Sequence, residues 1–337
     1  MKPLAIFSDL HLHNHAAFAE HVDGLNSRLL NGRDAFMQVA QTLHAAGGTT
    51  VLFLGDWHDS RRKIPVEVLD IGATALEEAR DRYGTEVIAV VGNHDLSLDE
   101  RSCSLHGLPF TDIIDKPQVV TIEGRKVNVV PWTDSPDVVK AASKKRCDFM
   151  VGHFGIAGSR VGPSDFEIPG KIGLGDLPSD VPVFLGHYHK PQQIPDTKIR
   201  YVGSPLQLTW GEANEAKRFL ILQGSKIKSV KTKGLPRFMR VTPDGLGRCR
   251  PNDFVEIVVQ KKAQAERTRN ATRKSLPKAH VVIESDRART DVPRMVLKGN
   301  RVAEHIETWI AENTAPEGVS VDECRAVAMR LMEASEQ

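Results

Sequence analysis

The chain has 337 residues, 45 Lys and Arg against 43 Asp and Glu, and four cysteines. That length predicts about two domains. Cys103, Cys147, Cys249 and Cys324 stand apart with no C-x-x-C pair, which excludes a disulfide framework and a thiolate metal site and points to a reducing compartment. No apolar run approaches the roughly 18 residues of a membrane span, and the first residues enter a strand at once, so a cytoplasmic protein is expected.

Five apolar, strand-like runs are each followed by a short polar segment. Leu4-Ala5-Ile6-Phe7 leads to Asp9-Leu10-His11, and Val51-Leu52-Phe53-Leu54 leads to Gly55-Asp56-Trp57-His58-Asp59. Val87-Ile88-Ala89-Val90-Val91 precedes Gly92-Asn93-His94-Asp95. Phe149-Met150-Val151 precedes Gly152-His153, and Val183-Phe184-Leu185 precedes Gly186-His187-Tyr188-His189. Among the early runs, residues 33–46 carry helical spacing and stop at Gly47-Gly48. Residues 65–82 read as a second helix with Pro65 at its start. Strand, helix and strand alternate, which predicts a sheet with helices on its faces. From residue 119 onward strands dominate, at 127–130, 199–202, 219–222 and 227–231, enough for two sheets packed face to face. The first domain is placed at 1–235, ending near Leu235-Pro236.

In open α/β sheets ligands gather at the carboxyl ends of strands, so the five segments are expected to build one site. A lone Asp or His at a strand end is ordinarily a cap or a surface residue, but five in order are poorly explained that way. Asp9, His11, Asp56, Asn93, His153, His187 and His189 offer two carboxylates, one amide oxygen and four imidazoles. Mixed nitrogen and oxygen ligation without thiolate favours Mn, Fe or Zn over Mg or Ca alone. A carboxylate has two oxygens and can bridge two ions, and a metal pair can clamp a phosphate and activate water.

At these residues the chain resembles the calcineurin-like metallophosphoesterase superfamily, whose order is D-x-H, G-D-x-x-D, G-N-H-D/E, G-H and G-H-x-H. The resemblance implies an α/β sandwich of two mixed β-sheets flanked by helices. It implies that Asp9, His11 and His189 hold one metal, that Asn93, His153 and His187 hold the other, and that Asp56 bridges them. His94 would act on the scissile phosphate or the leaving group, with Asp59 orienting it. His13 and His15 lie beyond the strand end and are not read as ligands; His58 is a weaker candidate for reaching substrate.

Charge is unevenly spread. Between Lys226 and Arg301 there are 20 basic and 7 acidic residues, leaving 25 basic and 36 acidic elsewhere. Such asymmetry points towards a polyanionic partner. A small α+β capping domain is placed at 236–290: a strand at 254–259, a basic helix at 261–274 and a strand at 280–284. Lys261, Lys262, Arg267, Arg269, Arg273 and Lys274 suit sequence-independent phosphate contacts. Residues 291–337 are read as a linker and a helix pair, with a capping box at Ser320-Val321-Asp322-Glu323. Its apolar stripes include Val302, Ile306, Trp309 and Ile310, then Val327 and Leu331. These faces are too small for a core of their own, so they pack back on the domain or dock on a partner.

Tyr201-Val202-Gly203-Ser204-Pro205 follows the last motif and is similar to the SbcD family of nuclease subunits. That resemblance implies a homodimer acting as a Mn²⁺-dependent exonuclease and endonuclease on DNA double-strand ends and single strands. It implies an SMC-like ATPase partner of the SbcC type, docked on the terminal helix pair, and a role for Tyr201, Gly203 and Ser204 in shaping a DNA-facing loop. The chain departs from the family where His13-Asn14-His15 follow the first motif. The same core also serves small-molecule phosphodiesterases and nucleotide phosphatases, and a non-catalytic scaffold would be expected to have lost ligands.

Overall fold

Successive residues of a strand face opposite ways, and in this chain both faces of the early strands are apolar. The computed structural model describes residues 1–162, 166–284 and Ser320, with Met1–Ile283 forming one unit. Ala5 and Phe7 of strand Leu4–Phe7 pack with Val51 and Phe53 of Thr50–Phe53 against Leu29, Phe36 and Val39 of helix Ser27–Ala45. Val68 and Leu76 of helix Val66–Tyr83 complete that layer. The alternate residues Leu4, Ile6, Leu52 and Leu54 face Val127, Val129, Phe149, Val151 and Phe184 of a second sheet. That sheet's outer face packs against Val139 and Ala142 of helix Pro136–Ser143. The layers therefore run helix, sheet, sheet, helix, which explains why these strands read as unbroken apolar runs.

Both large sheets are mixed and six-stranded. The first runs Lys226–Lys231, Arg218–Gln223, Leu4–Phe7, Thr50–Phe53, Glu86–Val90, Asp112–Ile114. Within it Leu4–Phe7, Thr50–Phe53 and Glu86–Val90 are parallel, so their carboxyl ends emerge side by side. The second runs Gln192–Gln193, Ile199–Tyr201, Val183–Gly186, Phe149–His153, Arg125–Val130, Gln118–Ile122. There Val183–Gly186 and Phe149–His153 are parallel and pair Gly186 with His153. The expected sandwich is thus present, with differences in detail. The first helix starts at Ser27 rather than near 33, because the Asn26 side chain caps it by accepting from the Arg28 and Leu29 amides. Helix Pro136–Ser143, capped by Ser135, interrupts a stretch read as strands alone.

A small parallel sheet, Phe238–Val241, Phe254–Val259 and Ala279–Ile283, follows. Helix Lys262–Thr272 covers one face through Ala265, which packs with Val255, Ile257 and Val259. On the other face Phe238 and Phe254 meet Phe18 and Trp210, and the Arg28 guanidinium lies over both phenyl rings at 5.1 and 5.2 Å. The predicted linker and helix pair at 291–337, with Val302, Ile306, Trp309, Ile310, Val327 and Leu331, lie outside the described residues apart from Ser320. Among the described residues no helix is long and apolar enough to cross a membrane.

Phe36 ties the first sheet to its helices: it is fully buried, with the Phe7 and Trp57 rings 5.7 and 5.2 Å away. Phe36→Ala is expected to cost about 3–5 kcal/mol, read as a lower midpoint in chemical denaturation. A loss of about 0.5 kcal/mol, the size of a surface substitution, would contradict this packing.

Candidate metal centre

The site begins with two loops zipped together. The Asp9 amide donates to the Gly55 carbonyl at 3.0 Å, and the Leu10 and His11 amides both donate to the Asp56 carbonyl at 2.9 and 3.0 Å. The backbone is strained here: Asp9, His11, Asp56 and His187 have φ of 56°, 47°, 63° and 91°. Such conformations cost a non-glycine residue about 1–3 kcal/mol each and persist where the surroundings over-determine them. The buried Asp95 carboxylate supplies part of that determination. It accepts from the amides of Asp56, Trp57 and Gly92 at 2.8, 2.9 and 2.8 Å and so locks the second and third motifs together. The fourth and fifth motifs join across the sandwich. His153 Nδ1 donates to the Leu54 carbonyl at 2.6 Å, so a second-sheet imidazole is held by the first sheet. Gly186 permits this approach, because a Cβ there would lie 2.1 Å from Ser8 Oγ and 2.9 Å from His153 Nδ1.

The seven predicted ligands converge. His153 Nε2 lies 3.2 Å from Asp56 Oδ2 and 3.0 Å from Asn93 Oδ1, and His187 Nδ1 is 3.0 Å from the same amide oxygen. His11 Nε2 is 3.5 Å from Asp56 Oδ2 and 3.0 Å from His189 Nε2, which is itself 4.0 Å from Asp9 Oδ1. Three groupings with metal-ligand spacing result among the described residues: Asp9, His11 and His189; Asp9, Asp56 and His153; and His11, Asp59 and His94. The donor set fits a pair of divalent ions. His153 and His189 each engage Nδ1 with an acceptor, which leaves Nε2 facing the cluster as the ring atom that would bind a metal. Asp9 is common to the first two groupings, and Asp56 has one oxygen near both His11 and His153 and the other accepting from the His94 amide at 2.8 Å.

Electrostatics bind these groups tightly. Burial pushes the Asp56 carboxyl up, but His153, His11 and His94 outweigh it and hold the group well below the usual range. Burial likewise pushes His11 and His153 down, and the surrounding carboxylates carry both to about 9. Both rings therefore hold protons at neutral pH until a cation displaces them. Burial and the neighbouring His153 bring His187 down to about 4, leaving it a neutral ligand.

Asp59 differs from expectation. Its carboxylate lies 3.2 Å from His11 Nδ1 and groups with both His11 and His94, but it is the main-chain carbonyl that accepts from His94 Nδ1, at 2.5 Å. The pairing with His11 brings the Asp59 carboxyl down to about 2. A carbonyl acceptor still fixes the His94 tautomer, so Nε2 is the ring atom available to substrate. Glu212 was not anticipated. Its Oε1 accepts from His189 Nδ1 at 3.0 Å, while the buried Lys217 Nζ sits 2.6 Å from Oε2 and 2.9 Å from the His189 carbonyl. Burial raises the Glu212 carboxyl, but His189 and Lys217 bring it to about 2, so it is charged. The only sequence signal was an acidic residue a few positions after the Tyr201–Pro205 segment.

Other candidates separate from the cluster. His58 is fully buried, lies 3.1 Å from Ser104 Oγ and is brought by burial to about 4, so it is an interior residue. His13 and His15 pair with each other, ring centroids 5.0 Å apart, and join none of the metal-ligand groupings found among the described residues. Tyr201 and Ser204 are interior too: the Tyr201 hydroxyl donates to the Phe154 carbonyl at 3.1 Å, and Ser204 Oγ donates to the Leu206 carbonyl at 2.9 Å. They shape the core under the last motif rather than an exposed loop. Lys261, Lys262, Arg267, Arg269, Arg273 and Lys274 are all exposed on or beside helix Lys262–Thr272, whose buried Ala265, Thr268 and Thr272 face the small sheet.

The calcineurin-like phosphoesterase family model matches residues 2–191, more than half of the chain, and the chain belongs to this family. The groups that could hold a metal pair gather at the strand ends. Exonuclease subunit 1 of Enterobacteria phage T4 is 25% identical over 199 residues, covering 55% of this chain and 56% of that protein. The chain thus spans little more than half the length of that relative. Among solved structures, purple acid phosphatase PPD1 from yellow lupin (Lupinus luteus) seeds is similar at 10% identity and a TM-score of 0.45, covering 70% of this chain and 52% of that one. An archaeal phosphodiesterase is similar at 13% identity and a TM-score of 0.36, covering 68% and 99%.

Partners that orient a metal-binding histidine are worth about 10- to 100-fold in metal affinity. Glu212→Gln should weaken metal binding by that factor while circular dichroism stays native, as read by competition with a metal-sensitive dye. Unchanged affinity would mean that Glu212 does not orient His189.

Proposed function

We propose that this chain is a Mn²⁺-dependent DNA nuclease that cuts phosphodiesters at double-strand ends and in single strands, as exonuclease and endonuclease. The observation that carries the reading is the convergence of the seven candidate ligand residues with His94 beside them, in a chain that also presents an exposed basic helix. The likeness to a phage exonuclease subunit supports the choice of DNA.

In this reading Asp9, His11 and His189 hold one ion, Asn93, His153 and His187 the other, and Asp56 lies between them. Bound there, the ions would supply Lewis-acid polarisation of the phosphate and a water acidic enough to attack it. The chain supplies the rest. Leu54 and Glu212 fix the tautomers of His153 and His189. His94, held at Nδ1 by the Asp59 carbonyl, presents Nε2 to a phosphate oxygen or gives its proton to the departing oxygen. Lys261, Lys262, Arg267, Arg269, Arg273 and Lys274 would grip the backbone without reading sequence. Residues 1–235 would form the catalytic domain, 236–290 the DNA-binding cap, and the chain would act as a homodimer. The segment 291–337 would dock an SMC-like ATPase of the SbcC type.

The test is digestion of end-labelled linear duplex DNA with Mn²⁺, beside bis-p-nitrophenyl phosphate. Degradation should stop on adding chelator and be absent from Asp56→Ala. His94→Ala should bind metal as the wild type does and lose turnover by about 10²–10⁴-fold. Cleavage of the small ester with DNA left intact would overturn the choice of substrate, and a metal-free His94→Ala would overturn its role.

A further inference from the structure

Two tryptophans near the metal centre differ in a telling way. Trp57 is wholly buried in the core, whereas Trp132 is partly exposed although it stands at the edge of the ligand cluster. Its ring centroid is 5.2 Å from that of His187 and 6.3 Å from that of His153. We propose that Trp132 and the cavity beside it form a nucleobase subsite, in which the base of the nucleotide carrying the scissile phosphate lies on the indole.

The ring is held in place before any ligand arrives. Trp132 follows strand Arg125–Val130, and its amide donates to the Val91 carbonyl at 2.8 Å, which pins it to the strand end that carries Asn93. Its indole Nε1 donates to Glu100 Oε1 at 3.3 Å. Arg61 stands 3.8 Å from Glu100, and its guanidinium donates to the Leu96 and Ser97 carbonyls at 3.1 and 3.0 Å. An aromatic face fixed in this way gives a base a sequence-tolerant stacking surface with little ordering cost.

The cavity has the chemistry of a base rather than of a phosphate. It holds about 530 Å³ and is lined by Leu96, Glu100, Arg101, His106, Asp115 and Trp132, among others. Glu100 and Asp115 would repel a phosphate, while carboxylates beside Arg and His offer the acceptors and donors that base edges present. A diester whose phosphate meets the ligand cluster would place a neighbouring planar group within reach of the indole.

This inference rests on the proposed nuclease reading, and one experiment separates the two. The manganese-loaded full chain would be given thymidine 5′-(p-nitrophenyl phosphate) and methyl p-nitrophenyl phosphate, which share a leaving group and differ in the nucleoside. The wild type should prefer the thymidine ester in kcat/KM, Trp132→Leu should lower that preference about tenfold, and Trp132→Phe should restore most of it. An unchanged preference in Trp132→Leu, or a Phe variant no better than Leu, would overturn the subsite. Should the Leu variant fail to fold, inhibition of wild-type methyl-ester hydrolysis decides. Thymidine 5′-phosphate should then bind about tenfold tighter than deoxyribose 5-phosphate, and equal inhibition would overturn the proposal. A wild type that prefers the thymidine ester yet degrades no DNA would sink the nuclease reading and leave the subsite standing. One that degrades DNA without preferring the thymidine ester would do the reverse.

Discussion

The structure depends on holding buried carboxylates and imidazoles together at the open seam between two sheets. Asp56 is the centre of that constraint. Its side chain meets His11 and His153, its carbonyl accepts two amides from the first motif, and its own amide is held by Asp95. Uncompensated, burial of such charges would cost several kcal/mol per ion. The histidines offset it, and the same geometry leaves their Nε2 atoms directed inward. Positive φ at Asp9, His11, Asp56 and His187 is the backbone side of this arrangement. Four residues with unfavourable dihedrals in one site are best understood as the cost of aiming ligands from adjacent strand ends.

The rigid sandwich meets that cost. Leu54 belongs to the layer between the sheets, and its carbonyl accepts from both Ser8 Oγ and His153 Nδ1, so packing of the sheets and orientation of a ligand are one event. A similar coupling runs through the short helix Trp210–Glu212. Trp210 packs on Phe238 of the small sheet, while two residues later Glu212 orients His189. Movement of the small sheet would therefore be felt at His189, one of the candidate ligands, through a single turn of chain.

Much of this was legible in the sequence, for a physical reason. Strands buried on both faces leave unbroken apolar runs, and ligands at their carboxyl ends fall at fixed places after them, so the five motifs could be read without coordinates. Contacts that depend on where a loop returns could not. Glu212 lies 23 residues from His189 in a segment with no periodicity, and Lys217 reaches it only after the chain has turned back. For Asp59 the position was readable but the atom was not, since nothing in the order of residues says whether carbonyl or carboxylate meets His94. The start of the first helix was misplaced because Asn31 and Gly32 weaken the helical signal there, while the cap at Asn26 is a side-chain contact. Strand Phe238–Val241 is four residues long, too short to show a period.

The central claim is that these residues form one site for a pair of divalent ions. Its most direct test is the metal stoichiometry of the purified chain after loading with Mn²⁺ and removal of free ion, compared with His153→Ala and His189→Ala. Two ions should be held per wild-type chain, with a clear loss from each variant, because each removes a candidate ligand from a different ion. Two ions retained by both variants, or none held by the wild type, would contradict it.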